Sequence, residues 1–259
     1  MSSLVEVSVD GAVATVTLDN PAKMGALSLA AMQQLTAAFT DIGTRDDIHV
    51  VVLASKGKVF SAGHDLSEVR GAGEAQQREI FETCSELMLT IQNIHQPVIA
   101  KVHGLATAAG CQLVATCDLA VASQSARFAT PGVRIGLFCS TPMVALSRAV
   151  PQKLAMRMLL TGDPITADEA LAHGLVSDVV SDETLDEAVA DLAARVAKAS
   201  AATVSIGKQA FYEQLTLSTG DAYTKMSEVM TQNALMADAQ EGIGAFLEKR
   251  EPVWQHHAQ

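Results

Sequence analysis

The chain is poor in aromatic and charged side chains. Phe, Tyr and Trp make up 4% of its 259 residues and charged residues 18%; Lys and Arg (18) are outnumbered by Asp and Glu (29), for a net charge of −11. Such a balance argues against binding nucleic acid or an acidic membrane surface, although a phosphorylated small molecule needs only a few local basic groups. No CxxC spacing joins Cys84, Cys111, Cys117 and Cys139, which lie in apolar stretches and read as buried, reduced thiols. Also missing are the GxxxxGK[ST] and GxGxxG loops, the GxSxG elbow and HExxH. No metal site, nicotinamide site or hydrolase triad is therefore expected. The apolar runs stop well short of a membrane span, and Val5, Val7 and Val9 alternate almost from the first residue, with no room for a leader. The expectation is a cytoplasmic protein.

What is present is a 49% hydrophobic chain, enough to bury a large core. Residues 4–9 and 12–18 alternate around Asp10-Gly11, a hairpin turn signal. Ser28 reads as the N-cap of a helix carrying Leu29, Met32, Leu35, Phe39 and Ile42 on one side. Continuous apolar runs at 49–55, 98–102 and 118–122 predict strands covered on both faces. Residues 74–94 predict a helix with the stripe Ile80, Cys84, Leu87, Met88 and Ile91, and 110–116 a short one. Strand, turn and helix recur at related spacing, which suggests stacked ββα units. From Pro142 onward the chain reads as almost wholly helical, with a capping box at Thr166–Glu169, a stop at Gly174, and helices over 182–200, 201–217 and 221–250.

Two small-residue segments carry the chemistry. Phe60-Ser-Ala-Gly-His-Asp-Leu66 and Gly104-Leu-Ala-Thr-Ala-Ala-Gly-Cys-Gln112 each follow a predicted buried strand, and each lets backbone N–H groups approach a ligand closely. The second runs into a helix, at the positive end of its dipole. Facing each other, two such turns would form an oxyanion hole for the enolate or tetrahedral oxyanion of a thioester. No Asp or Glu stands beside them where a proton-transfer residue is expected.

Lys56-Gly-Lys-Val-Phe-Ser-Ala-Gly-His-Asp-Leu66, Gln96-Pro-Val-Ile-Ala-Lys-Val-His-Gly104, Gly110-Cys-Gln-Leu-Val-Ala-Thr-Cys-Asp118 and Leu160-Thr-Gly-Asp-Pro-Ile-Thr-Ala-Asp-Glu-Ala170 together resemble the crotonase, or enoyl-CoA hydratase/isomerase, superfamily. The resemblance runs to Glu241-Gly-Ile-Gly-Ala-Phe-Leu-Glu-Lys-Arg250 and so spans essentially the whole chain. It implies an α/β spiral of ββα units over residues 1–200 and a helical oligomerisation region over 201–259 that builds a homotrimer, or a hexamer as a dimer of trimers. It also implies an acyl-CoA ligand and no separate cofactor. The thioester carbonyl would be held by the backbone N–H groups of His64 and Ala109, with the adenine and pantetheine along Ala62 to Leu66, and Asp65 organising that loop through its backbone.

The hydratases of the family hold water with two glutamates. The matching positions here are Gln112 and Gly132, and a third site used for an Asp by other members falls at Phe138–Thr141, also neutral. Gln112 cannot accept a proton and Gly132 has no side chain, so ordinary hydration is expected to be severely suppressed. The block from Pro131 to Thr141 resembles the branch of enoyl-CoA hydratase domain-containing proteins that lacks these glutamates. The resemblance implies an enzyme of fatty-acid metabolism of another crotonase type, a lyase, isomerase, thioesterase or decarboxylase; the alternative is a non-catalytic acyl-CoA-binding or assembly protein. Lys56, Lys58, Arg70 and Lys249 are candidates for the CoA phosphates, Lys249 being the best match to family segments that bring a basic residue towards the adenine. His64 could place its imidazole near the ligand, and Glu82 or Glu86 could reach the acyl group from the helix after the first loop. His103 reads as structural, Cys139 lacks a basic partner, and Ser140 and Thr141 read as loop or cap residues.

Overall fold

The computed structural model describes residues 3–256. β1 (Val5–Asp10) and β2 (Val13–Leu18) form an antiparallel hairpin with Val5 opposite Leu18, turned at Gly11 with φ +55°. Ser28 caps α1 (Leu29–Ile42), its hydroxyl accepting the Ala31 N–H at 3.2 Å. There follow β3 (Val50–Ser55), the short α2 (Leu66–Val69), α3 (Glu74–Asn93), β4 (Val98–Val102), β5 (Leu105–Thr107), α4 (Ala109–Thr116), β6 (Leu119–Ser123) and β7 (Arg127–Ala129). A 3₁₀ turn over Pro131–Ile135 leads to α5 (Ser140–Ala149), α6 (Gln152–Thr161), β8 (Ile165–Thr166), α7 (Ala167–Ala172) and β9 (Asp178–Val180). Last come α8 (Leu185–Ala197), α9 (Ala201–Gln214), α10 (Thr219–Leu235) and α11 (Ala237–Glu248).

The strands lie in two layers. One is a six-stranded sheet in the order β1-β2-β3-β4-β6-β9, parallel except for the hairpin; the other is a three-stranded sheet, β5-β7-β8. Single parallel bridges, Leu27 to His64 and Ser61 to Ala106, continue the second layer backwards along the chain. Each turn of chain therefore runs from a long strand to a short extended segment and then to a helix. That is the expected α/β spiral of ββα units.

β3 illustrates why its sequence is continuously apolar. Val51 and Leu53 face the main core with Leu35, Phe39, Leu87 and Ile91, while Val50 and Val52 face the opposite side, where Leu185, Val189 and Ala193 of α8 cover the sheet. α3 buries the whole stripe read from its spacing. β1 behaves differently: its alternating valines sit on an edge strand, and Val7 and Val9 remain exposed.

The region after Pro142 is not wholly helical, since β8 joins the small sheet beside β7 and β9 closes the large one beside β6. Two- and three-residue strands are too short to leave a period-2 pattern. The helix expected over 182–200 opens as a 3₁₀ turn and is α-helical only as α8. The helix expected over 221–250 is two, broken at Met236 with ψ 151°. The break lets Asp238, which is buried, accept from the Ser200 hydroxyl at 2.6 Å and the Gln255 N–H at 2.7 Å, tying α11 to the start of α9 and to the tail.

Candidate functional site

The first loop is held from both sides. The Ser61 N–H donates to the Leu105 carbonyl at 3.1 Å, the Ser61 carbonyl accepts from Thr107 at 2.9 Å, and the Leu27 N–H donates to the Gly63 carbonyl at 2.8 Å. Inside it, the Ser61 hydroxyl donates to the Gly25 carbonyl at 2.7 Å. The second turn is pressed against it: a Cβ on Gly63, where φ is +84°, would lie 2.9 Å from Ala108 Cβ and 3.2 Å from the Ala109 nitrogen. A Cβ on Gly110 would lie 2.5 Å from the Ser61 carbonyl. Glycine is required at both positions by this approach of two backbones.

The consequence is that the His64 and Ala109 amides come to adjoining positions. Neither N–H donates to another backbone group among the described turn and cap hydrogen bonds. Ala109 opens α4, where the first N–H groups have no intrahelical partner. Ala108, just before it, has φ +51° and ψ −119°, a region non-glycine residues seldom enter; its N–H donates to the Ala129 carbonyl at 2.9 Å. Strain of this kind costs of order 1–3 kcal/mol and clusters at ligand clamps.

His64 and Ala109 both line a cavity of about 560 Å³. Ala62, His64 and Leu66 line it from the first loop, and Phe81 from α3. Thr107, Ala108 and Ala109 line it from the second turn, and Pro131 to Pro142 supplies the far wall, including Gly132, Phe138, Cys139, Ser140 and Thr141. The walls are largely apolar, and no Asp or Glu is among them. Such a site strengthens any hydrogen bond made to charge developing inside it.

Gln112 does not line the cavity. It is buried on α4 and turned towards α3, where its Oε1 accepts from the Cys84 thiol at 3.8 Å. Gly132 does line it but is crowded: a Cβ there would lie 2.0 Å from the Leu137 carbonyl oxygen and 2.9 Å from Cys139 Sγ. The His64 ring stands edge-on to Phe81 at 5.4 Å, and neither ring nitrogen has a hydrogen-bond partner of normal geometry. Burial lowers its pKa below the usual histidine value, and an interaction with the Leu27 backbone opposes the shift.

Asp65 works through its side chain rather than only its backbone. One carboxylate oxygen accepts from the Ser67 N–H at 3.0 Å and the Ser67 hydroxyl at 2.6 Å, capping α2, and the other meets Lys23 Nζ at 2.6 Å. The Lys23 ammonium, then the Ser67 hydroxyl, hold its pKa below the ordinary carboxylate value. Lys56 is paired with Glu6 and Asp19 at the surface, each at 2.8 Å. Glu86 lies on the outer face of α3 and does not line the cavity; Glu82 does not line it either, but borders an adjoining hollow with Phe81 and Thr141, which do. Lys249 ends α11 in a left-handed conformation and does not line the cavity. His103 meets the Gly57 carbonyl at 3.1 Å, as a structural histidine would. Burial pushes the thiols of Cys84 and Cys111 up to about 12, and those of Cys117 and Cys139 upward as well. None is an activated nucleophile.

Phe81 and Ala108 escaped the sequence reading. Phe81 sits one step off the α3 stripe, between core and surface; the strain at Ala108 leaves no mark on residue type. Lys208 was also missed. It is buried and donates to the carbonyls of Ile91 and Gln96, both at 2.8 Å, and pairs with Asp118 at 2.9 Å, so α9 is anchored to the core by an ionic contact.

Two layers of ββα turns, with an apolar cavity beside two closely packed glycine-containing loops, define a crotonase-type architecture, and comparison with known proteins agrees on the fold. The enoyl-CoA hydratase/isomerase family matches residues 8–257, and the chain belongs to it. It is 51% identical over 242 residues (93% of this chain, 80% of the relative) to human enoyl-CoA hydratase domain-containing protein 3, mitochondrial. A crystal structure of that human protein superposes with a TM-score of 0.95 at 48% identity, covering 97% of this chain and 100% of the other. An enoyl-CoA hydratase structure from Mycobacterium smegmatis gives 0.96 at 44% identity, covering 98% and 99%. The expectation of a cytoplasmic protein does not stand: the domain-containing protein 3 relatives from rat, zebrafish, mouse and human are all named mitochondrial. No helix among the described residues is long and apolar enough to cross a membrane.

Proposed function

We propose that this chain binds an acyl-CoA and polarises its thioester carbonyl between the N–H groups of His64 and Ala109, without the two-carboxylate water activation of the hydratases. The observation that carries the reading is the pair of unengaged amides brought together by Gly63 and Gly110 at the wall of an apolar cavity. Ala62, Asp65 and Leu66 would guide the pantetheine arm, and Lys249 would meet a phosphate, supplied within an oligomer. The chemistry is that of an isomerase, thioesterase or decarboxylase, in which the amides stabilise an enolate or oxyanion. No metal or further cofactor enters it.

Residues 201–259 would form the oligomerisation region of a trimer or hexamer. The support is a set of exposed apolar side chains there, Phe211, Leu215, Met230, Leu235 and Phe246 among them. The absence of any carboxylate among the cavity residues favours one second reading, a protein that binds acyl-CoA without turning it over. A panel of acyl-CoA thioesters followed by mass spectrometry separates the two. Product formation from any thioester supports the enzyme; binding by calorimetry with no product supports the carrier. Failure to bind any thioester at millimolar concentration sinks both.

A further inference from the structure

The apolar cavity has a neighbour. Phe81 of α3 and Thr141 of α5 line it, and both also line a second hollow of about 410 Å³, bounded otherwise by Glu74, Gln77, Arg78, Glu82 and Ser85. That hollow shares Glu74, Arg78, Glu82 and Ser85 with a groove of about 1030 Å³ along the outer face of α3. Three spaces therefore adjoin in series, apolar inside and charged outside, and Phe81 and Thr141 stand at the inner junction. Phe81 is the bulkier of the two. It is half-buried, and its ring is set edge-on to the His64 ring at 5.4 Å.

We propose that Phe81 sets the acyl chain length: its ring is the stop that an alkyl tail meets at the end of the inner cavity, and the hollow beyond takes the tail once the ring is removed. The inference rests on the acyl-CoA reading above. It gives that reading a substrate class, an acyl-CoA with an uncharged alkyl tail of limited length. At about 30 Å³ for each water-sized group, a cavity of about 560 Å³ holds fewer than about twenty of them. The thioester, the end of the pantetheine arm and the tail must share that space.

Charge decides which end of the ligand points at α3. The groove carries Glu74, Glu79, Glu82 and Glu86 against Arg78 alone, and Arg78 is itself paired with Glu74 at 3.0 Å and Glu82 at 3.8 Å. Such a face repels the phosphates of CoA, so the CoA leaves the cavity elsewhere and the acyl end is directed at Phe81. Inside, Arg134 is the single Lys or Arg among the lining residues. It is engaged by Asp163 and by the Thr161 carbonyl at 2.9 Å. An acyl carboxylate therefore finds no unpaired cation there, whereas each methylene covered by the apolar wall gains about fourfold in affinity.

The test is calorimetry with the straight saturated thioesters from butyryl-CoA to tetradecanoyl-CoA, below their micelle concentrations. In the wild type, affinity should rise about fourfold per methylene and then level off or fall within the series. In Phe81→Ala the rise should continue for at least two further methylenes, with butyryl-CoA affinity within a few-fold of wild type. The ratio of tetradecanoyl to butyryl affinity then grows by roughly tenfold or more. Phe81→Leu should shift the break in the same direction by less, and it carries the test if the alanine variant does not fold. In the opened variant, a dodecanoyl chain ending in an ammonium should bind more tightly than one ending in a carboxylate, and the gap should narrow in salt. Wild-type affinity that climbs through the whole series overturns the stop, as does a break that stays in place in both folded variants. Equal affinity for the two charged ends overturns the direction towards α3. Binding with an unmoved break leaves the acyl-CoA site standing, whereas no binding of any thioester removes the site itself.

Discussion

Hydration cannot be restored by writing glutamates back into this chain, and Gly132 is the reason. A Cβ at that position would sit 2.0 Å from the Leu137 carbonyl oxygen, a full ångström inside the closest approach of 3.0 Å that real Cβ atoms respect. The oxygen belongs to backbone and cannot rotate away. Leu137 is also tethered, its N–H donating to the Gly132 carbonyl at 3.0 Å, and Cys139 Sγ closes the remaining side at 2.9 Å. Gly132→Ala must therefore shift the Leu137 peptide, at the cost of about 1–3 kcal/mol of overpacking and about 1 kcal/mol for the strained hydrogen bond. For a chain of this size each kcal/mol lowers Tm by about 2–4 °C, so the variant should melt roughly 5–15 °C below the wild type by circular dichroism. Gln112→Glu places its carboxylate in the buried site beside Cys84, where desolvation favours the neutral acid. The Gln112→Glu, Gly132→Glu double variant should accordingly leave crotonyl-CoA hydration within about tenfold of the wild-type level, far short of a general acid–base contribution of about 10²–10⁴-fold per group. A Gly132→Ala protein melting within a degree of wild type, or a hundredfold gain of hydration in the double variant, would refute the crowding argument.

Ala108→Gly should raise stability by up to about 1 kcal/mol, because relief of strain at φ +51° outweighs the added freedom of the unfolded chain; a lower Tm would show that the Ala108 methyl is needed against Gly63. Lys208→Met removes the ammonium paired with Asp118 and strands that carboxylate with only the Val98 N–H and the Tyr212 hydroxyl, a loss of about 3–5 kcal/mol in urea unfolding. A loss under 1 kcal/mol would mean that those two donors suffice. Asp65 has a folded pKa below its unfolded value of about 3.9. The contribution of its carboxylate is thus complete above that value and is lost as pH falls through the depressed folded pKa. Asp65→Asn should flatten the acid limb of the stability profile, and an unchanged limb would place the acid sensitivity elsewhere.

Much of the fold was legible from spacing. The stripe Ile80, Cys84, Leu87, Met88 and Ile91 names one face of α3, and all five residues are buried, because a helix repeats every 3.6 residues and only one face meets the core. The apolar run in β3 signals a strand covered on both sides, and α8 proves to be the second cover. Ser28 and Thr166 are read as caps because a hydroxyl at that point satisfies an orphan N–H, as both do. The paired glycine-containing segments mark where backbones approach, since residue type records where a side chain does not fit.

Tertiary structure decided what depends on neighbours distant in sequence. The very short β8 and β9 exist because β7 and β6 offer them edges, not through any pattern of their own. Met236 breaks a helical stretch because buried Asp238 collects partners from Ser200 and from the tail. The pairing of Lys208 with Asp118 joins residues ninety positions apart, and composition cannot tell that lysine from a solvated one. At the site, the sequence alone tells that Gln112 and Gly132 carry no carboxylate. Only the fold decides that Gln112 is turned towards Cys84 of α3, that Leu137 and Cys139 fill the space a side chain at Gly132 would need, and that the His64 imidazole is buried edge-on to Phe81. Periodicity encodes which face of an element is covered; the vacancy or crowding of a single atom's surroundings is set by chain segments that no local pattern describes.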